Sequence, residues 1–501
     1  MSINGIDSAS SLMVQAVVDM RARLADLQRQ LGTGKKSETY AGVGLDRGLA
    51  VGLRTKLSAV DSYTDTIKTL NMRIDLAQTA LTRVDDLSKT VRSAARLTGY
   101  ELDDTGQTTA QKNARLQLDE VLGLLNTQAG DRYLFSGRAG DRPAVDTVNN
   151  ILDGDGVRAG FKQVVAERNL ADLGGVGGLG RVVPAVAGSV FTLSEDVAGS
   201  PFGFKLGAAT STLTNAAVTG PGGSPPSVSV NFTAGNPNPG DKITFTLNLP
   251  DGTHENLVLT ATTSATPGPN EFTIGATPAL TAGNLQAVAT ASLGKLASTS
   301  LSAASALAAA NDFFNIDDAN PPRRVSGPPA TATALTSGTP ADTVFWYTGE
   351  GGSDPARGTA VARVDDALTV SYGLRANEQA VRNAVQNIAA FAAMTFSPTD
   401  PDGEERYQAL TSRVGDNLSD APGKQQIADI EADLATAQAT LDAANDRHAQ
   451  NKNVLAGLVE GIEGVPIEEV GAEVLVMNTR LQASLQTTSM LFQTSLINYL
   501  K

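Results

Sequence analysis

Apolar residues recur three and four positions apart through both ends of this chain, and between those ends the pattern disappears. Val17, Met20, Leu24, Leu27 and Leu31 make one stripe, and Ile67, Leu70, Ile74, Ala77, Leu81 and Val84 make a second. Ile427, Ile430, Leu434, Ala437, Leu441 and Ala444 make a third, near the other terminus. This spacing puts all members of a stripe on one side of a helix of 3.6 residues per turn. A stripe so narrow cannot bury itself and needs partner helices along its length. Helices from the opposite terminus are the available partners.

The spacing predicts a first helix over residues 8–31, with Ser8 or Ser10 as cap and Gly32 and Gly34 closing it. Gly-rich text to Gly48 breaks the path, and a long helix resumes from Leu49 to Leu97, roughly 70 Å at 1.5 Å per residue. A polar turn from Thr98 to Thr108 leads to a third helix through Ala114, Leu118, Val121 and Leu125, ending near Gly130. The returning half starts with a helix over 376–396 through Val381, Val385 and Ile388, which Pro398 and Pro401 prevent from continuing. Tyr407, Leu410, Val414 and Leu418 mark a short helix before Pro422. A second long helix, Lys424 to Ile462, spans roughly 58 Å. Gly461, Gly464 and Pro466 stop it, and the final helix runs from Ile467 to Leu500. Each end therefore reads as short terminal helix, breaker and long helix, in mirror image, and the economical fold lays the two ends antiparallel.

From Pro201 to Phe345 there are 8 acidic and 5 basic residues in 145, half the charge density of the whole chain, amid Ala, Thr, Ser, Gly and Pro. Val228–Phe232, Ile243–Leu249 and Leu257–Thr263 alternate with period two and carry β-branched residues, which predicts strands. Pro250-Asp-Gly-Thr253 is a hairpin connection between two of them. An Ala/Ser-rich helix near Gly283–Ala310 is expected to pack on that sheet, and a shorter one near Val157–Leu173 precedes it. The fold class expected is mainly α with a β-rich insert (α+β). Its terminal helices pair as an elongated antiparallel helical bundle or coiled coil, and a central β-containing domain points outward. The corresponding domains are 1–35 with 465–501, 36–140 with 360–464, and the insert 141–359.

At 501 residues, the chain exceeds what one core ordinarily organises. A net charge of −14, with no Lys/Arg run longer than two, argues against nucleic acid. No apolar stretch approaches membrane-spanning length. The chain has no cysteine, which excludes disulfides, thiolate metal sites and cysteine nucleophiles. The first residues lack a basic n-region and a continuous apolar h-region, so no cleaved secretory signal is expected.

Candidate chemistry is sparse. The two histidines, His254 and His448, have no partner at ligand or nucleophile spacing. His448 falls in register with the last long stripe where Leu is expected. With Asn451 it reads as a polar interruption that fixes helical register. Gly175-Val-Gly-Gly-Leu-Gly180 matches the dinucleotide-binding pattern letter for letter. It follows a helix and leads into Val182-Val-Pro184 instead of opening a helix after a strand, so a joint is expected. Asp153-Gly-Asp-Gly156 resembles the opening of a calcium loop without its later ligands, and reads as a turn. No enzyme, cofactor or metal site is expected. An enzyme or ligand-binding module in the insert is the competing reading. Terminal helices with few partners of their own leave apolar edges for neighbouring subunits. The candidate packing residues are Val17, Met20, Leu24, Leu27, Leu31, Met477, Leu481, Leu485 and Leu496.

Three segments carry a family resemblance. Leu27-Gln-Arg-Gln-Leu-Gly-Thr-Gly-Lys-Lys36 resembles the end of the first helix in the flagellin superfamily, particularly the hook-associated protein 3 branch. Gly130-Asp-Arg-Tyr-Leu-Phe-Ser-Gly137 is similar to that branch's Tyr-Leu-Phe-Ser/Ala-Gly signature, and the ending from Leu481 to Leu500 looks like that group's ending. The family-motif positions are Thr33, Gly34, Lys35, Tyr133, Leu134, Phe135 and Gly137. The likeness covers residues 1–140 and 360–501. In place of the Asp-Asp-Pro or Asp-Asp-Ala text usual after the first turn stands Glu38-Thr-Tyr-Ala-Gly-Val-Gly-Leu-Asp-Arg47. The resemblance implies a structural subunit of the bacterial flagellum, extracellular, exported through a type III channel without a cleaved signal peptide. Implied partners are copies of itself, other hook-associated proteins, flagellin and an export chaperone, with no nucleic acid and no membrane insertion. A hook–filament junction adaptor is the leading expectation, and a filament-forming flagellin is the alternative.

Overall fold

The computed structural model describes residues 4–97, 99–175, 177–317, 320–352 and 354–499. In chain order the helices are α1 (Asn4–Thr33), α2 (Arg47–Leu97), α3 (Thr109–Leu125), α4 (Val148–Asp153), α5 (Phe161–Leu173), α6 (Pro278–Leu296), α7 (Ser302–Phe314), α8 (Gln379–Ala393), α9 (Gly403–Asn417), α10 (Ile427–Glu463) and α11 (Ile467–Tyr499). The short strands β1 (Gln128–Ala129) and β2 (Arg132–Tyr133) form a hairpin. Next come β3 (Val182–Ala187), β4 (Val190–Glu195), β5 (Lys205–Ser211), β6 (Ala217–Gly222), β7 (Ser227–Asn231), β8 (Lys242–Asn248), β9 (His254–Thr262) and β10 (Glu271–Thr273). Two further small pairs are β11 (Arg323–Val325) with β12 (Leu335–Ser337), and β13 (Val361–Arg363) with β14 (Thr369–Ser371). The fold is thus mixed α and β with long helices. Among the described residues no helix is long and apolar enough to cross a membrane.

The predicted helices are all present, with boundary shifts. Ser8 and Ser10 lie inside α1 rather than at its cap, since the helix already begins at Asn4. Interior Ser costs only a few tenths of a kcal/mol relative to better helix formers, about 0.5, so nothing obliges the helix to start there. Leu500, the expected end of the last helix, lies outside the described residues. The expected Ala/Ser-rich helix is two, α6 and α7, joined through a π-helical turn at Ala297–Leu301.

Contacts divide the chain into two compact units. One comprises residues 1–70, 363–369 and 439–501; the other comprises 71–362 and 370–438. Inside the first, Ile67, Leu70, Leu441 and Ala444 are buried. Arg54 bonds Glu463 and Lys452 bonds Asp61, so numbers rise along α2 as they fall along α10. Within the same unit α1 packs on α11.

The second unit has the same antiparallel sense, with Gln438 bonded to Asp75 and Glu431 to Thr82. Ile74, Ala77, Leu81 and Val84 of α2 and Ile430 and Leu434 of α10 are its buried stripes. Its sheets run in the orders β3-β4-β7-β6 and β10-β9-β8-β5. All neighbours are antiparallel except β10 with β9. Alternate residues Ile243, Phe245 and Leu247 of β8 point into the core with Phe191 and Leu193 of β4, beneath Leu285, Ala289 and Leu293 of α6. The predicted hairpin at Pro250–Thr253 joins β8 to β9, closed by the Leu249 N–H donating to Thr253 O at 2.8 Å. α7 is buried over nearly its whole circumference, because its alanines let α5, α8 and α9 approach closely. The single Trp346 is fully buried and donates Nε1–H to Phe314 O at 2.8 Å.

Leu434 is fully buried, so Leu434→Ala is expected to lower unfolding free energy by about 2–5 kcal/mol in urea titrations. A midpoint equal to wild type would show that the stripe is not a packed core.

Candidate subunit-packing site

On α1, the apolar positions Val17, Met20 and Leu24 are half-buried, and Leu27 is buried. On α11, Val470 is buried and Val474, Met477, Leu481, Ser484 and Thr488 are half-buried, again at spacings of three and four. These two rows are the seam between the helices. The C-terminal end of α1 meets the N-terminal end of α11, where the Leu31 side chain lies against Gly471. Leu31 and Leu485 are themselves exposed, and the side chain of Leu496 lies outside the described residues. Large apolar side chains off the seam face water: Leu12 is 72% exposed, Val18 52%, Leu475 70% and Met490 65%. A two-helix pair has only one covered face, so apolar residues on its other faces remain unburied within the chain.

The family-like turn at Thr33-Gly34-Lys35 sits where α1 stops. Gly34 adopts φ +67°, and its N–H donates to Gln30 O at 2.7 Å, the usual use of a left-handed glycine to close a helix. The break between α10 and α11 lies directly against it. Lys35 pairs with Gly464 as an antiparallel bridge, the Lys36 N–H donates to Glu463 O at 2.7 Å, and the Val465 N–H donates to Gly34 O at 3.0 Å. Lys36 Nζ donates to Ile462 O at 2.8 Å. Arg54 reaches the buried Glu463 carboxylate with two hydrogen bonds, at 2.9 and 2.5 Å. That guanidinium holds the Glu463 carboxyl below its ordinary range, and the carboxylate raises Arg54 in return. Glu463 and Arg54 carry no apolar signal, so the periodicity that located the helices passes over them. The only hint was an acid beside the Gly464 breaker.

The Tyr133–Gly137 text is a structural staple of the second unit. Leu134 and Phe135 are buried, and Tyr133 is half-buried. Phe135 O accepts from the Ala376 N–H at 2.9 Å, the Gly137 N–H donates to Leu374 O at 3.0 Å, and Ser136 O accepts from the Glu350 N–H at 2.9 Å. One outgoing segment thereby binds two returning ones. Gly137 has φ +64°, and a Cβ there would stand 2.5 Å from Glu350 Oε2 and 3.0 Å from Glu350 Cβ. Arg138 adds an ion pair to Glu350 at 2.7 Å. Arg375 donates Nη1–H to Gly352 O at 2.7 Å and bonds Asp354 O through its other terminal nitrogen.

The remaining candidates have structural roles. His254 is exposed at the start of β9. His448 is 2% exposed, with Nε2 2.7 Å from Val364 O and its ring stacked on Tyr63 at 5.6 Å. Asn451 is exposed, so it does not interrupt a buried seam as expected. The described part of 175–180 links α5 to β3, as expected for a joint. In the 153–156 turn, Asp153 is paired with Arg115 and Lys162 at 2.9 and 2.7 Å. The Asp155 carboxyl is pulled down to about 2 by the Arg158 N–H, the Arg158 guanidinium and the Val157 N–H. Both carboxylates are thus taken by protein donors. Among the described residues, no group of three or more His, Cys, Asp and Glu is placed to hold a metal ion. No protein-family profile matches the chain, and no curated protein matches it either.

Glu463→Gln is expected to speed amide exchange at Lys36 and Val465, whose N–H groups cross the joint. In the wild type, the carboxylate's contribution is present above the ordinary glutamate value of about 4.3 and is lost as pH falls through the depressed one. Exchange there, corrected for intrinsic rate, should therefore accelerate only below that range; unchanged exchange in both experiments would show the ion pair to be idle. Gly137→Val forces a branched side chain into left-handed backbone at about 1–3 kcal/mol before any clash is counted. Its denaturation midpoint should fall, and an unshifted midpoint would mean that the loop relaxes freely.

Proposed function

We propose that this chain is a structural subunit of the bacterial flagellum, a hook–filament junction adaptor that assembles by helical packing of its terminal regions. What carries the reading is the apolar surface left open around the α1–α11 pair, on Leu12, Val18, Leu475 and Met490. Exposed apolar side chains recurring along a helix pair offer a surface that a partner can cover. The likeness of the Leu27–Lys36, Gly130–Gly137 and Leu481–Leu500 text to the hook-associated protein 3 branch supports the same class. On this reading α1 and α11 supply a coiled-coil layer that is completed by other copies. The long helices make an elongated antiparallel bundle, and the β-rich segment is an outward domain. The protein then leaves the cell unfolded through a type III route, with an export chaperone, and meets hook-associated proteins and flagellin outside. Its role is packing, with no catalysis and no cofactor.

Labelled protein on intact flagella should form a band at a single point near the hook. Signal along the whole filament would make it a bulk flagellin instead. Leu24→Asp, Leu485→Asp or removal of the last 20 or so residues should abolish assembly while the sheets stay folded, because an unpaired charge at a position that packing with neighbouring copies buries costs several kcal/mol. Normal polymerisation of these variants would remove the terminal helices from the interface.

A further inference from the structure

The turn between β13 and β14 belongs to the same compact unit as the first part of α2 and the last part of α10. It folds on itself, with the Val364 N–H donating to Leu368 O at 3.0 Å, and Val364 is fully buried. Its buried polar contact with α10 is between His448 Nε2 and Val364 O at 2.7 Å, and the exposed Asp365–Arg447 and Asp366–Tyr63 bonds lie at its rim. A carbonyl can only accept, so Nε2 carries the proton and Nδ1 is left with a lone pair. Nδ1 is buried and, among the described residues, has no hydrogen-bond partner.

The charged groups around the ring are already engaged. From the turn, Asp365 pairs with Arg447 at 3.1 Å, and Asp366 accepts from the Tyr63 hydroxyl at 3.0 Å and lies 3.5 Å from Arg363. From the helices, Asp61 of α2 pairs with Lys452 of α10 at 2.6 Å. Asp365 attracts a charged imidazole but spends its hydrogen bonds on Arg447 and the Asp366 N–H, and none reaches Nδ1. A proton at Nδ1 would therefore make a buried cationic donor with nothing to accept from it, and an unsatisfied buried donor costs free energy. Imidazole is the side chain that ordinarily gains its proton in mildly acid solution.

We propose that His448 is an acid-sensitive latch: on gaining a proton at Nδ1 it releases the 363–369 turn from α2 and α10. The proton comes from water and no covalent bond to carbon is made or broken. Release uncovers His448 on α10 and the half-buried Tyr63 ring stacked on it from α2, so the turn is the segment through which acid exposure loosens this unit first.

Hydrogen exchange of the full-length protein tests this. Between about pH 7.5 and pH 5, exchange over residues 361–371, corrected for intrinsic rate, should rise about tenfold, while residues 182–195 stay unchanged. His448→Gln keeps a neutral N–H donor but has no proton to gain, so its exchange should not respond to pH over that interval. Equal corrected protection of the wild type at both pH values would overturn the latch, as would an equal rise in His448→Gln. Should that variant fold poorly, imidazole NMR of the wild type decides, with exposed His254 as the only other histidine. Opening of the turn while His448 stays neutral would equally overturn the proposal.

Discussion

The first unit depends on two helix breaks being bonded to each other. A helix end leaves N–H and C=O groups without partners inside the helix. Here the end of α1 and the break between α10 and α11 supply partners for each other through the Lys36–Glu463 and Val465–Gly34 bonds. Gly34 permits the left-handed turn, and Arg54 on Glu463 ties the beginning of α2 into the same joint. Four helix ends thereby converge on a few residues, which brings α1 beside α11 and sets α2 and α10 antiparallel. An Arg–Glu pair with a half-exposed arginine contributes little on its own; its effect is to orient a carboxylate that backbone bonds have already brought close.

The second unit uses the same chemistry for a different purpose. The Tyr133–Gly137 segment joins chain stretches that lie more than 200 residues apart, again through backbone hydrogen bonds, a positive-φ glycine and an Arg–Glu pair, Arg138 with Glu350. Apolar burial alone does not specify which strand segment meets which, since dispersion and hydration are not directional. Backbone pairs are directional, and a glycine that tolerates no side chain allows only one close approach. The unit can therefore carry a large Ala-, Ser- and Thr-rich segment without losing its register at the point where that segment begins and ends.

Packing differs between the two units in a way that bears on function. The sheets and α6 enclose a core of Phe, Leu, Ile and Val, and α7 is buried on nearly every side. α1 and α11 cover one face each, and Leu12, Val18, Leu475 and Met490 among their described apolar residues meet water. In the proposed reading, other copies of the chain cover these positions.

Much of the helical framework was legible in the sequence, because periodicity of three and four is imposed by the geometry of a single helix and needs no knowledge of the partner. The breakers at Gly34, Gly464 and Pro466, the β8–β9 hairpin and the buried stripes could be read from that local code. The start of α1 could not, since interior serine costs too little to mark a boundary, and neither could the π-helical turn between α6 and α7. Only the tertiary structure decided that Glu463 meets Arg54, that Phe135 and Gly137 bind the 374–376 segment, and that His448 faces Val364. Those contacts join residues separated by tens to hundreds of positions and depend on direction and distance, which a pattern along one chain does not encode.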